Sequence, residues 1–327
     1  MRRRNKRLNR FIIAGAAFGM LAPLFIWGQQ NQALPPQAKP SEPPEREDAV
    51  FSADTRLVPL NVTVTDKTGR LVTNLPQSAF QVFENGVQQQ IKIFKREDVP
   101  VSLGLIIDNS GSMREKRQSV ESAAVALVKD SNPQDEVFVI NFNDEVYLDT
   151  DFTNDVSKME QGLTKIDSRG GTAMRDAIRL SAEHLKEKAR RDKKVILVVT
   201  DGNDNASVVK FDELVKLCEQ DDVLIYAIGL LTEEDKREAK KAQRALNELT
   251  EFTGGVVFYP KDVSEVERIA HQVAHDLRNQ YTIAYTPTNP ALDGTFRTVK
   301  VTVKASGNPI ARTRSGYYAT DKGKGGK

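Results

Sequence analysis

The chain has 327 residues, enough for two domains of ordinary size. Hydrophobic residues make up 39%, charged residues 28% and aromatics 7%, a balance that excludes a wholly disordered chain and a multi-span membrane protein. Forty-seven Lys and Arg against 45 Asp and Glu give a formal charge of +2, which points neither to a nucleic-acid partner nor to an acidic tail.

The charge is unevenly placed. Arg2, Arg3, Arg4, Lys6, Arg7 and Arg10 crowd into the first ten positions, and no acidic residue precedes Glu42. Without that cluster, 41 basic residues against 45 acidic ones leave −4. An apolar run continues from Phe11 to Trp27, FIIAGAAFGMLAPLFIW. A basic segment before an apolar one is the pattern of a secretory signal. At ~1.5 Å per residue the run reaches ~26 Å, slightly short of a ~30 Å hydrocarbon core. Gly28 and Ala33 are small enough to precede a cleavage site, but neither forms a clean A-x-A. Residues 1–33 therefore read as a signal peptide or an uncleaved N-terminal membrane anchor. Either reading exports the rest of the chain: periplasmic, extracellular, or tethered to the outer face of the inner membrane. Contact with a membrane is expected only through this segment.

Residues 34–48, LPPQAKPSEPPERED, hold five prolines and four acidic residues and read as an extended linker. Residues 49–98 read as strands: LNVTVTD alternates, DKTG turns, and FQVFENGVQQQIKIF is two strands about Asn85-Gly86. Beyond Pro100, apolar runs at 101–108, 136–142, 194–201, 222–230 and 255–260 alternate with helical stripes. The stripes are Val120, Ala124, Leu127, Val128; then Met174, Ala177, Ile178, Ser181, Leu185; then Val266, Ile269, Ala270, Val273, Leu277. That alternation predicts a mostly parallel sheet with helices on both faces across 99–280. Residues 281–319 return to strands, YTIAYTP, FRTVKVTVKA and ARTRSGYYA, with turns at Asp293-Gly294 and Gly307-Asn308-Pro309. Each flanking segment is too short for a sheet of its own, so the two are expected to pack together as one β-sandwich-like domain around an inserted α/β domain. Residues 320–327 read as a disordered tail. Cys218 is the only cysteine, so no internal disulfide forms, and its place beside Phe211, Leu214 and Val215 makes it a buried structural thiol.

The chemistry sits at strand ends. The first α/β run finishes in Asp108-Asn109-Ser110-Gly111-Ser112-Met113. Sixty residues past Ser112 comes Arg169-Gly170-Gly171-Thr172, and 29 further on Asp201 closes VILVVTD. Ligands of open α/β sheets bind where loops converge at the carboxyl ends of strands. Asp108, Ser110, Ser112, Thr172 and Asp201 offer two carboxylates and three hydroxyls, an oxygen-only set suited to a hard cation such as Mg²⁺. The carboxylates balance the 2+ charge, and the neutral hydroxyls leave a position for an outside oxygen. Taken singly, each hydroxyl reads equally well as a cap or turn residue.

DNSGSM, GGT and the Asp of VVTDG resemble the metal-ion-dependent adhesion site of von Willebrand factor A domains, over roughly residues 99–280. The flanking strands resemble those of secreted bacterial proteins carrying such domains. The resemblance implies a Rossmann-like A-type domain with Mg²⁺ (Mn²⁺ or Ca²⁺ as alternatives) held by Asp108, Ser110, Ser112, Thr172 and Asp201. It implies an adhesion-type, non-enzymatic function in which a partner protein presents an Asp or Glu carboxylate to the metal. The alternative is a cell-envelope structural or assembly factor whose metal only stabilises the fold. Asn109, Met113, Arg169 and Asn203 are the expected rim, and Asp201–Asn205 reads as a solvated loop edge.

Two other patterns carry less. His271-Gln272-Val273-Ala274-His275 has the histidine spacing of a zinc-protease helix, but Gln272 cannot serve as its base, and both histidines fall opposite the apolar stripe. Ser110 or Ser112 as a nucleophile needs a base, and His184 has no evident route to them.

Overall fold

The computed structural model describes residues 57–96, 98–164, 168–231 and 236–320. The N-terminal signal or anchor, the Pro-rich linker and nearly all of the tail lie outside the described residues. Among those described, no helix is long and apolar enough to cross a membrane.

Four short strands come first: β1 (Val58–Thr65), β2 (Phe80–Glu84), β3 (Val87–Gln89) and β4 (Ile91–Lys95). The α/β body begins with β5 (Val101–Asp108), α1 (Arg117–Asp130), β6 (Glu136–Phe142), β7 (Val146–Thr153), α2 (Val156–Leu163) and α3 (Met174–Lys188). It continues through β8 (Lys193–Thr200), α4 (Phe211–Gln220), β9 (Val223–Gly229), α5 (Lys236–Thr253), β10 (Val257–Phe258) and α6 (Val266–Arg278). The chain ends in β11 (Tyr281–Tyr285), β12 (Phe296–Val303), β13 (Ile310–Arg312) and β14 (Gly316–Tyr318).

The central sheet runs β10-β9-β8-β5-β6-β7, parallel except for β7, which pairs antiparallel with β6. Strands buried on both faces need apolar side chains on both, and β5, β6, β8 and β9 are continuous runs of that kind. Leu103, Leu105 and Ile107 of β5 pack with α1, α2 and α6; Ile106 turns to the other face with α3, α4 and α5. All three helical stripes read from the sequence face these cores. Cys218 is buried in the second, and burial pushes its thiol far up. β7 and α2 had no clear signal, because every position of β7 is only half-covered or exposed.

The flanking strands form two antiparallel sheets, β13-β1-β11-β4 and β14-β12-β2-β3. Each mixes strands from before and after the α/β body; β1 pairs with β11, and β2 with β12. Val58, Leu60, Val62, Phe80, Val82, Ile283, Tyr285, Val299 and Val301 share one apolar core between the sheets. The hairpin at Asn85-Gly86 is present, with φ of 47° and 80°, the left-handed pair that such a turn requires. Beyond the turn the chain forms two strands rather than the single one expected. β3 pairs with β2, the chain breaks at Gln90, and β4 joins the other sheet against β11.

Candidate metal centre

β5 is the point at which the chain reverses its direction of travel across the sheet. It leads on one side to β6 and has β8 on the other, so a crevice opens between the carboxyl ends of β5 and β8. The register sets Ile107 against Val199, which makes Asp108 level with Thr200 and places Asp201 one residue beyond. Thr200 Oγ1 donates to Asp108 Oδ2 at 2.6 Å, and the Ser110 amide donates to Asp108 Oδ1 at 2.8 Å. Asp108 is 1% exposed and Asp201 8%. Burial, with a smaller contribution from the Asp201 charge, pushes the Asp108 carboxyl up to about 6.

Residues 111–113 form a single tight turn after β5, and that turn aims the serines. Ser112 Oγ donates to Asp201 Oδ1 at 2.8 Å and lies 3.2 Å from Ser110 Oγ. Ser112 has one hydroxyl hydrogen, spent on Asp201, so Ser110 donates to Ser112. The Gly111 amide donates to the Gly170 carbonyl at 3.3 Å, joining the first loop to the second. Gly170 has φ of 73°, and a Cβ there would strike the Asp144 carboxylate, so the approach requires glycine. Thr172 is buried, and its Oγ1 lies 3.6 Å from where a Cβ on Gly202 would stand, beside Asp201. All five oxygen-bearing residues thus sit on three loops at one end of the sheet. Ser112 remains exposed at its mouth.

The donor chemistry fits a hard divalent cation: oxygen only, two carboxylates, three hydroxyls. Among the described residues, no group of three or more His, Cys, Asp or Glu is placed to hold a metal. Lys116, for which the sequence held no signal, adds a charge: its Nζ contacts Asp201 Oδ2 and lies 3.5 Å from the Leu230 carbonyl.

The expected rim needs correction. Met113 is buried in the core with α1, because the turn at 111–113 points it inward. Asn109 is buried too, its Nδ2 donating to Asn141 Oδ1 at 2.7 Å. Arg169 is exposed, and half-buried Asn203 donates to Glu238 at 3.0 Å. In residues 201–205, Asp201 is buried, Gly202, Asn203 and Asp204 are half-buried and Asn205 is exposed, so the loop edge is solvated beyond Asp201 and also tied down. Asn205 Oδ1 accepts from the Thr172 amide at 2.9 Å, and Asp204 pairs with Arg175 at 3.0 Å. His271 and His275 are exposed on α6 as expected. His184 is buried against Phe138 and Phe152 and bonds Asp151, not the serines.

Residues 103–203 match the family model described as the von Willebrand factor type A domain, a stretch that begins in β5 and closes two residues after Asp201. Among solved structures, the von Willebrand factor type A protein from Catenulispora acidiphila is 13% identical, with TM-score 0.48, over 71% of each chain. An aerotolerance-related membrane protein from Bacteroides fragilis is 17% identical, with TM-score 0.43, over 54% of this chain and 98% of its own. The PilB minor pilin from Streptococcus sanguinis is 12% identical, with TM-score 0.46, over 57% and 63%. No curated protein matches the chain. Residues 103–203, which span these strand ends within the mostly parallel six-stranded sheet flanked by helices, thus carry the likeness of the α/β body to von Willebrand factor type A domains.

Proposed function

We propose that the chain is a metal-dependent protein-binding module in which Asp108, Ser110, Ser112, Thr172 and Asp201 hold Mg²⁺, and that the metal accepts an Asp or Glu carboxylate from a partner protein. Domains of the type A family are typically non-enzymatic interaction modules, which supports a binding role. The observation carrying the finer reading is the convergence of five oxygen side chains from three loops at the crevice between β5 and β8.

Charge supports the carboxylate partner. Two carboxylates and the Lys116 ammonium sum to −1, and a divalent cation brings the cluster to +1. In a partly buried site that surplus is relieved by one anionic ligand entering past exposed Ser112. The basic and apolar N-terminal pattern supports export of this face from the cytoplasm, by a cleaved signal or a retained anchor.

Calorimetric titration of Mg²⁺ and Mn²⁺ into the full chain tests the site. Binding is expected for the intact chain and lost in Asp108→Ala, with circular dichroism and melting temperature preserved. Equal metal binding by the variant rejects the ligand set. If chelation lowers the melting temperature but leaves partner capture unchanged, the metal is a stabiliser only and the envelope-assembly alternative takes its place.

A further inference from the structure

We propose that the loop 203–209 is the partner-discriminating element of this face, with Val208 its apolar contact, and that the partner presents an aliphatic or aromatic side chain beside its carboxylate. The inference rests on the metal-face reading above.

Val208 is 89% exposed, the most exposed of the large apolar side chains among the described residues. Among the described residues of the loops that carry Asp108, Thr172 and Asp201, it is also the one exposed large apolar side chain. A lone exposed valine on a slack loop would mean little. This loop is held from both ends. The two oxygens of Asp176, in the first turn of α3, accept from the amides of Val208 and Val209, each at 2.9 Å. Asp204 accepts from Ser207 Oγ at 2.6 Å and from the Arg175 amide at 2.8 Å, and the Asp176 amide donates to Ser207 Oγ at 3.1 Å. The amides of Asn205 and Ala206 donate to the Thr172 carbonyl at 3.1 and 3.2 Å.

Those bonds turn the loop's polar groups inward and leave the valine outward. Burying its side chain on binding removes apolar surface from water, and the fixed backbone spares the ordering cost that a flexible loop would add. Val208 lies on the same loop as Asp201, seven residues on, and the loop is tied to the Thr172 backbone at Ala206.

The test is selection of a random peptide display library on the full chain in Mg²⁺, with Val208→Ser and Val208→Ile beside it. Because the side chain is exposed, both variants keep the fold. The intact chain is expected to enrich peptides that combine Asp or Glu with a nearby Val, Leu, Ile or Phe. Val208→Ser should keep the acidic preference and lose the apolar one. A synthesised winner should bind Val208→Ser about tenfold more weakly and Val208→Ile as well as the intact chain. Acidic peptides with no apolar preference overturn the loop's role while the carboxylate reading stands. Apolar enrichment that depends on Val208 but not on Mg²⁺ supports the loop and overturns the metal reading. No enrichment at all overturns both.

Discussion

Between the two antiparallel sheets, Glu84 is buried with donors for both of its oxygens. Arg297 reaches Oε1 at 3.2 Å, and the hydroxyls of Tyr285 and Tyr317 reach Oε2 at 2.7 and 2.8 Å. Arg297 itself is 2% exposed, and it also donates to the Asn289 and Ala291 carbonyls. At the carboxyl ends of β5 and β8, two carboxylates are buried with four hydroxyls around them, those of Ser110, Ser112, Thr172 and Thr200, and one ammonium beside them. The first cluster is neutral and closed. The second has a donor for each of its four carboxylate oxygens as well, from the Ser110 amide, Thr200, Ser112 and Lys116, but it carries a net negative charge and opens at Ser112. A neutral, closed network locks a core; a net-negative one at a loop mouth is the kind that the proposed cation would complete.

Arg297→Met strikes the closed cluster hardest. It leaves the Glu84 charge buried without its partner, a class of change that costs about 3–5 kcal/mol. Thermal unfolding should show a drop on the order of 10 °C. Adding Glu84→Gln should restore part of it, and Mg²⁺ binding should be unchanged in both proteins. If Arg297→Met weakened metal binding as well, the two clusters would be coupled and the contrast between them would fail.

A third carboxylate sharpens the contrast, because it belongs to neither kind. Glu219, near the end of α4, is 5% exposed, and its Oε1 has no hydrogen-bond partner. It lines a cavity of about 400 Å³ between the base of the central sheet and the antiparallel strands. Burial pushes its carboxyl up to about 7 from the ordinary 4.5, against the pull of Arg314. Between those values the folded chain holds a proton that the unfolded chain has lost. Stability contributed by the group is therefore full below about 4.5 and declines as pH rises toward 7. Glu219→Gln should remove a decline of roughly 3 kcal/mol in unfolding free energy, measured by urea titration between pH 4.5 and 8. Asp276 and Asp108, also raised to about 6, keep a smaller slope of the same sign in the variant. An unchanged slope would mean that Glu219 is ionised in the folded protein.

The open cluster was legible in the sequence and the closed one was not, for a physical reason. Asp108 and Asp201 terminate continuous apolar runs, so a one-dimensional pattern marks both the strand and its end. Glu84 and Arg297 lie 213 residues apart inside alternating strands, where a charged residue looks like any solvent-facing position. The run after Asn85-Gly86 misled in a similar way: Val87–Gln89 and Ile91–Lys95 have the same period, and only their partners in different sheets divide them. Asn109 was misplaced because its amide is drawn to Asn141 on the neighbouring strand, and Met113 because the tight turn at 111–113 points it into the core. Lys116 carried no signal either, since its role depends on reaching a carboxylate 85 residues away.

Lys116 also separates two views of the open cluster. If its ammonium completes the site as Arg297 completes the other, Asp201 is already satisfied and a metal adds little. Removing the charge would then loosen Asp201 and weaken any cation binding. If the cluster awaits a divalent cation, Lys116 opposes that cation: it occupies Asp201 Oδ2 and repels positive charge from a site where screening is weak. Lys116→Met keeps the side chain's apolar length and deletes the ammonium. Calorimetry with Mn²⁺ should then show affinity tightened about five- to tenfold, near 1 kcal/mol. The same variant should bind acidic peptides more slowly, because the metal-loaded face falls from +1 toward neutrality and attracts a carboxylate less over distance. Tighter metal with slower peptide capture is a pairing that a closed, self-satisfied cluster has no means to produce.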